Sequence, residues 1–241
     1  MSTGCAANFS TCSRVSSWFR VRLALDRTIA LVLMVVLAPV VAVCAWLVRR
    51  HDGGPAFIAV PRLGQHGRPI QMWKLRSMRA DLPGGMASGV ALTGEHDSRI
   101  TPVGVKLRAY YLDELPQLYN VVRGDMCLLG PRPEAPEFVD LADPEWQAVL
   151  AVPPGLAGPT QLIVNDWERD VITTSPDGAA YMDEVVPVKL AIDHWYVRRA
   201  SPRLDALVAF TLLRRLMPGS DMHVLRDLIR AQVPEASEAH R

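Results

Sequence analysis

The feature that most constrains this chain is a run of 21 residues without a charge, from Thr28 to Val48. At about 1.5 Å per residue, a helix of that length just spans a hydrocarbon core of about 30 Å. Arg27 precedes the run, and Arg49 and Arg50 follow it. The run therefore predicts a segment that lies in lipid, bounded by cations at both ends.

Two details leave the topology of this segment open. Arginines on both sides conflict with the positive-inside preference, and Pro39 removes a backbone donor near the centre. If the chain bends at Ala38 and Pro39, both ends stay on one face, and each arm of about ten residues reaches roughly mid-membrane. A spanning helix with a tolerated proline is the alternative. A cleaved signal peptide is disfavoured, because the run is long and no A-x-A site precedes Arg49.

The composition indicates a folded body behind this segment. The 241 residues are 49% hydrophobic and 21% charged, which excludes disorder, and a net charge of +1 argues against nucleic acid as a partner. Residues 1–50 carry a charge of +5 and the remainder −4, which suggests contact with anionic lipids. The four cysteines form no CxxC pair, and neither GxxxxGK[ST] nor GxGxxG occurs, so zinc-finger and common nucleotide-loop proteins are excluded.

Two short strands are predicted after the membrane segment, over residues 56–60 and 70–78, joined by a turn rich in proline and glycine. Alternation along the second strand places Lys74 and Arg76 on one face. Two neighbouring cations suit an anionic ligand, although a solvated strand face is the alternative.

Apolar residues at helical spacing predict a helix over 105–122 that ends at Gly124. Asp113 and Glu114 interrupt its apolar stripe. Neighbours on a helix point about 100° apart, so the two carboxylates could divide their roles between a metal and a phosphorus atom, or simply be solvated. Further along, Pro131 and Pro133 frame Arg132 and predict a rigidly presented guanidinium suited to phosphate.

The remaining segments complete a prediction of an α/β fold that is mostly helical with a small β element. Residues 81–98 read as a mobile loop, and residues 165–180 as a polar insertion. A helix is predicted within 181–199 and a short one over 222–233. The apolar segment 204–217 is too short to span a membrane, so it is either a core helix or an interfacial one.

Two blocks carry a resemblance to a known family. The first reads LDELPQLYNVVRGDM over residues 112–126, and the second reads GPRPE over 130–134. KLRSM at 74–78, RITPVG at 99–104, Arg108 and the proline-centred run support them. From about residue 20 to 217 the chain resembles the bacterial sugar transferases, the monotopic phosphoglycosyl transferases of the small single-domain type.

The resemblance implies a monotopic protein of the bacterial inner membrane. It divides the chain into a disordered tail over 1–19, a re-entrant helix hairpin over 20–51 that breaks at Ala38 and Pro39, a cytoplasmic catalytic domain over 52–217, and a C-terminal helix and tail over 218–241. Amphipathic helices would lie at the membrane interface, and a homodimer is left open.

The resemblance also implies a reaction that initiates polysaccharide or glycoconjugate assembly. A sugar-1-phosphate moves from a UDP-sugar to polyprenyl phosphate, typically undecaprenyl phosphate, with release of UMP. Asp113 would be the nucleophile, forming an acyl phosphate, and Glu114 would hold Mg²⁺. The expected contacts to substrate phosphates come from Lys74, Arg76, Arg108 and Arg132, with Pro131 and Pro133 shaping the loop around Arg132.

Two departures from the family pattern concern the membrane break and a turn. Ala38 stands where many relatives have serine, and GLAGPTQ at 155–161 is not followed by the expected Gly-Arg pair. Two other functional classes remain as alternatives. A membrane-anchored scaffold of glycan assembly would not need Asp113, and a single-span receptor would expose its N-terminus outside the cell.

Overall fold

The computed structural model describes residues 9–79, 81, 97–175, 178–215 and 223–237, and within them the fold is mostly helical with two small sheets, as expected. The helices are α1 (Phe9–Asp52), α2 (Pro102–Ala109), α3 (Gln117–Arg123), α4 (Pro144–Leu150), α5 (Pro159–Ile163), α6 (Asn165–Thr174), α7 (Val186–Arg199), α8 (Pro202–Arg215) and α9 (His223–Gln232). The strands are β1 (Phe57–Leu63), β2 (Pro69–Leu75), β3 (Cys127–Leu129) and β4 (Gly155–Ala157). The predicted loop at 81–98 lies largely outside the described residues.

Helix α1 is 44 residues long and divides its surface between protein and surroundings. Its buried positions recur every three or four residues in two stretches, Phe19, Arg22, Asp26 and Ala30 in the first and Cys44 and Val48 in the second. Its other face exposes large apolar side chains, among them Val21, Leu25, Val32, Val35, Val36, Val43 and Trp46. One stripe therefore packs on the body, and the rest forms an apolar surface suited to lipid.

The structure corrects one expectation for this region and does not confirm another. Residues 9–19 are helical and belong to α1, so the predicted disordered tail over 1–19 is wrong for them, and residues 1–8 lie outside the described part. The helical assignment also continues through Ala38 and Pro39, so the predicted hairpin break is not seen. A proline removes one hydrogen bond from a helix that side-chain packing supports on both sides of it.

Strands β1 and β2 form an antiparallel hairpin in which Phe57 pairs with Leu75 and Leu63 with Pro69. Both strands differ from their predicted bounds. β1 continues through Pro61, which is tolerated because the sheet has only two strands and the exposed Pro61 needs no amide partner on its open edge. β2 ends at Leu75, so Arg76 lies beyond the strand.

The predicted continuous helix over 105–122 is wrong. α2 ends at Ala109, Tyr111 adopts a left-handed conformation with φ of 54°, a 3₁₀ turn covers Leu112–Glu114, and α3 begins after Pro116. The apolar spacing continues across the break, but Pro116 has no amide hydrogen to bond a preceding turn. Asp113 and Glu114 therefore lie on a short turn between two helices.

The C-terminal half packs around α7. Residues 165–174 form α6, which corrects the predicted polar insertion, and Val171 and Ile172 of this helix are buried with Trp146 and Tyr181. The predicted helices within 181–199 and 222–233 are confirmed as α7 and α9. α8 corresponds to the predicted apolar segment at 204–217; it buries Leu204 and Val208 and exposes Phe210 and Leu213, so it contributes one face to the core.

Candidate active site

Glu114 lies on the 3₁₀ turn between α2 and α3 and is the centre of a charged cluster. Its carboxylate accepts a hydrogen bond of 3.0 Å from Lys74 Nζ of β2. The guanidinium of Arg132 also donates to both of its oxygens, with 3.2 Å between Nη1 and Oε2. Burial opposes ionisation, but the charges of Arg132 and Lys74 prevail and lower the pKa of Glu114. Glu114 is therefore a fixed anion.

Asp113 differs from its neighbour because it has no such partners. Its relative exposure is 6%, and among the described residues it forms no hydrogen bond or ion pair. Burial raises the pKa of Asp113, while the nearby charge of Lys74 opposes that shift. Asp113 and Glu114 both line one cleft of about 430 Å³, a volume suited to a small-molecule ligand.

Arg108 reaches the same cleft from α2. Within the part of the chain that the structure describes, its guanidinium forms no hydrogen bond or ion pair, and Asp113 is the strongest opposite charge near it. Arg108 and Asp113 thus face one cleft without bonding each other. This arrangement leaves the five donors of the guanidinium available to an anionic ligand.

The loop that presents Arg132 is fixed by the parallel pair of β3 and β4. Gly130 donates to the Ala157 carbonyl at 2.9 Å, and Gly155 donates to the Pro131 carbonyl at 2.7 Å. The two chains approach so closely that a Cβ on Gly155 would lie 2.2 Å from the nitrogen of Gly130. Pro131 is buried in this contact, while Pro133 lines the cleft beside Arg132. The framed guanidinium that the sequence predicts is present.

Arg76 does not join this group. Its guanidinium makes a two-point ion pair with Asp52 at the end of α1, with 2.7 Å between Nη1 and Oδ2, and it is outside the residues that line the cleft. The alternation that placed Arg76 beside Lys74 stops where β2 ends at Leu75. Lys74, Arg108, Arg132, Asp113 and Glu114 therefore meet at the site, and Arg76 does not.

A second cluster in the cleft wall was not predicted from the sequence. Lys189 of α7 bonds Glu134 at 2.7 Å, Glu168 of α6 at 3.1 Å and the hydroxyl of Tyr181 at 2.8 Å. Burial alone would lower the pKa of Lys189, but Glu134 and Glu168 hold it well above its usual value. Glu134 belongs to the GPRPE block, so the sequence could have indicated this residue. The other members of the cluster lie far along the chain, and no local sequence pattern connects them.

Asn120 was also missed, and it fixes the strand that bears Lys74. Its side-chain oxygen accepts from the Trp73 amide at 3.0 Å, and its side-chain nitrogen donates to the Gln71 carbonyl at 2.7 Å. The amide group of Asn120 therefore takes the place of a neighbouring strand. This contact holds β2 against α3 one residue away from Lys74.

The donor set of the cleft fits Mg²⁺ in one specific way. No group of three or more metal-binding side chains occurs within the described residues, so an all-protein cage is absent there. Mg²⁺ commonly takes one or two carboxylates and completes its shell with substrate phosphates and water. Glu114 supplies that minimal set, because it retains acceptor capacity beside its bonds to Lys74 and Arg132.

Comparison with known proteins identifies a family that the sequence matches. The profile of the family described as bacterial sugar transferase matches residues 17–218. The chain belongs to the bacterial sugar transferase family. The match includes α1 from residue 17 onward and all of the cleft residues described above.

Individual relatives carry more specific names. The chain is 30% identical over 198 residues to the UDP-N-acetylgalactosamine-undecaprenyl-phosphate N-acetylgalactosaminephosphotransferase of Aeromonas hydrophila, a match that covers 81% of this chain and 43% of that protein. It is 41% identical over 143 residues to the UDP-glucose:undecaprenyl-phosphate glucose-1-phosphate transferase of Caulobacter vibrioides, covering 57% and 52%. The chain thus spans about half or less of the length of these two relatives.

Proposed function

We propose that this chain transfers a sugar-1-phosphate from a UDP-sugar to undecaprenyl phosphate and releases UMP. The observation that carries the proposal is Asp113, a buried carboxylate without a bonding partner among the described residues, placed beside three cations in a cleft. The two relatives described above are named for this class of reaction. Such transfer would begin the assembly of a polysaccharide or glycoconjugate.

In the proposed first step, an oxygen of Asp113 attacks the phosphorus that bears the sugar. The bond from that phosphorus to the oxygen of UMP breaks, UMP leaves, and an aspartyl phosphosugar forms. In the second step, a phosphate oxygen of the polyprenyl phosphate attacks the same phosphorus. The carboxylate of Asp113 is released, and the product is a polyprenyl diphosphate sugar.

The cations around Asp113 serve this chemistry through charge. Arg108 and Arg132 would bind oxygens of the diphosphate, where negative charge shifts during transfer, and Lys74 would add to the same field. Glu114 would hold Mg²⁺, which would supply a further positive charge to offset the negative charge of the diphosphate. Because Lys74 and Arg132 fix Glu114, that ligand is oriented before substrate arrives.

We also propose that α1 enters the membrane without crossing it, with the catalytic body on the cytoplasmic face. Among the described residues, α1 is long and apolar enough to cross by length and composition. However, Arg22, before the uncharged run, bonds Asp205 of the body, and Asp52, after the run, bonds Arg76 of the same body. A crossing run would separate these anchors by about 30 Å of hydrocarbon. The re-entrant bend at Ala38 and Pro39 stays a prediction.

The activity is tested by measuring UMP release from purified protein with undecaprenyl phosphate, Mg²⁺ and a panel of UDP-sugars. The panel includes UDP-glucose and UDP-N-acetylgalactosamine. We expect release that requires the lipid and stops in Asp113→Asn, while the exposed control Asp183→Asn keeps wild-type rates. Release that survives Asp113→Asn would refute the covalent mechanism, and silence from folded wild-type protein across the panel would favour a scaffold.

The topology is tested separately with cysteine labelling in intact cells. Cys5 and Cys12 lie before α1's apolar run, whereas Cys44 and Cys127 are buried. If both ends of the run are cytoplasmic, a membrane-impermeant maleimide labels the first pair only after the cells are permeabilised. Labelling of Cys5 or Cys12 in intact cells would show a spanning segment and remove the proposed placement.

A further inference from the structure

The Glu114 cluster depends on two cations that come from separate parts of the fold. Lys74 lies near the end of β2, and Arg132 lies on the loop that follows β3. Neither cation contacts the other among the bonds around Glu114, so the position of each is set by its own segment. The question is what holds these two segments at the correct separation.

The segment before Arg132 is held by the N-terminal part of α1. The guanidinium of Arg22 donates to the Leu129 carbonyl, and the carboxylate of Asp26 accepts from the Leu128 amide at 3.1 Å. Arg22 also bonds Asp26 within the helix, at 3.2 Å. Two charged side chains of the membrane helix thus bind the backbone of β3 directly, a few residues before Arg132.

A buried network fixes Arg22 itself. Arg22 pairs with Asp205 of α8, which also accepts from Tyr196 Oη at 2.5 Å and from Trp18 Nε1 at 2.9 Å. The side chains of Arg22 and Asp205 are 5% and 7% exposed. These buried bonds link α1 to α7 and α8. The position of α1 relative to β3 is therefore fixed.

The segment after Lys74 is held by the other end of α1. Asp52, at the last position of the helix, makes a two-point ion pair with Arg76, whose side chain is fully buried. The Arg76 amide also donates to the Ala56 carbonyl at 2.8 Å. Arg76 is two positions from Lys74, so this anchor fixes the end of the strand that carries the cation.

Apolar packing connects the two anchors along the helix. Ala30 is buried in one cluster with Met72 of β2 and Val121 of α3. Cys44 is buried in another with Leu75 at the end of β2. Two residues of strand β2, Met72 and Leu75, therefore lie in apolar clusters that also contain residues of α1, so packing as well as ion pairs connects the helix to this strand.

We propose that α1 is a brace that sets the separation of Lys74 and Arg132, with Arg22, Asp26, Asp52 and Arg76 as positioning residues. The expected effect of the brace on turnover rests on the proposed function. Its expected effect on the structure of the turn that carries Glu114 does not. In this proposal the geometry of the active site depends on the position of α1 relative to β2 and β3. In this proposal the fully buried Arg76 positions the strand that carries Lys74 and does not bind phosphate.

The proposal is tested with charge-removing variants at both ends of α1, Arg22→Gln and Asp52→Asn. Conservative partners, Arg22→Lys and Asp52→Glu, keep the charge at each position. Arg203→Gln and Asp183→Asn are matched controls, because both residues are exposed and form no ion pair among the described residues. Three quantities are measured for each variant: the thermal midpoint, hydrogen exchange of peptide 112–116, and kcat and KM for UMP release.

The peptide 112–116 is the decisive readout, because it contains Glu114 and includes none of the four positioning residues. We expect faster exchange there in both charge-removing variants, and a kcat lowered about 10-fold or more with KM changed less than about threefold. Displacement of a catalytic group by about 1 Å can cost on the order of 10²-fold in rate. The conservative variants should recover most of both effects, and the controls should match wild type.

The outcomes separate the brace from a general loss of stability. If the thermal midpoint falls while exchange at 112–116 and kcat stay at wild-type values below that midpoint, the brace is refuted. If Arg22→Gln does not fold, Asp52→Asn decides alone, because the Asp52 side chain is 20% exposed and asparagine keeps an oxygen that can accept from Arg76. If wild type releases no UMP, the proposed function fails, and exchange at 112–116 still decides the brace.

Discussion

Asp193 of α7 offers the sharpest test of the electrostatics beneath the active site. It is buried against the loop that carries Arg132: Thr160 donates to its carboxyl group, and the Arg132 backbone donates a second hydrogen bond. Burial raises the pKa of Asp193 from 3.8 to about 7, and the charge of Lys189 only partly opposes the shift. We expect Asp193→Asn, which resembles the protonated acid, to stabilise the protein at alkaline pH.

The magnitude follows from proton linkage. Between pH 3.8 and about pH 7 the folded protein keeps a proton on Asp193 that the unfolded chain has lost, so the free energy of unfolding falls as the pH rises. At 1.36 kcal/mol per unit, the loss amounts to about 4 kcal/mol across the whole window. The asparagine variant does not titrate. Its advantage over wild type should therefore grow by about 2 kcal/mol between pH 5.5 and pH 7 and change little above that.

The assay is denaturant unfolding in detergent micelles, followed by tryptophan fluorescence at pH 5.5, 7 and 8. Wild type, Asp193→Asn and the exposed control Asp183→Asn are compared at each pH. The control should stay parallel to wild type. A difference between Asp193→Asn and wild type that is the same at all three pH values would show that Asp193 is ionised throughout, and the argument from burial would be wrong.

Three further predictions concern the site and its supports. Arg108→Gln should lower kcat/KM for UMP release by about 10- to 100-fold, the equivalent of one charge-assisted hydrogen bond, and an unchanged kcat/KM would remove Arg108 from phosphate binding. Gly104→Ala should destabilise the fold and lower the thermal midpoint, because the added Cβ would lie 1.9 Å from the Ser77 carbonyl oxygen; a midpoint equal to wild type would contradict this contact. Met126→Ala should cost about 2–5 kcal/mol in denaturant unfolding, since Met126 is fully buried, and a cost below about 1 kcal/mol would indicate that the core collapses around the gap.

The motif residues could be predicted from the sequence better than the elements that carry them. Asp113, Glu114 and Arg132 were singled out by residue type and spacing, and the structure brings them together. The helix assigned to Asp113 was wrong because apolar periodicity continues across a break that Tyr111 and Pro116 impose. Periodicity reports which faces are buried, and two short helices can bury the same face as one long helix.

The misplaced Arg76 and the missed Lys189 show a different limit. The position of Arg76 depends on where β2 ends, which is set by pairing with β1 and by Asp52 on α1. Lys189 meets Glu134 only because α7 packs behind the Arg132 loop. Both positions are products of long-range packing, and no window of local sequence contains the partner.

The contrast between the two charged clusters of the cleft is the reason why we propose the first, and not the second, as the reactive one. In the second cluster, Lys189 is satisfied by Glu134 and Glu168, so its charges stabilise the wall. In the first, the carboxylate of Asp113 is buried and Arg108 is half-buried, and the two side chains do not bond each other. Folding alone does not favour this arrangement, because Asp113 and, in part, Arg108 lose hydration without gaining a bonding partner. A diphosphate placed between them would bond the guanidinium and bring its phosphorus to the carboxylate, so binding of the donor and alignment for attack would arise from the same contact.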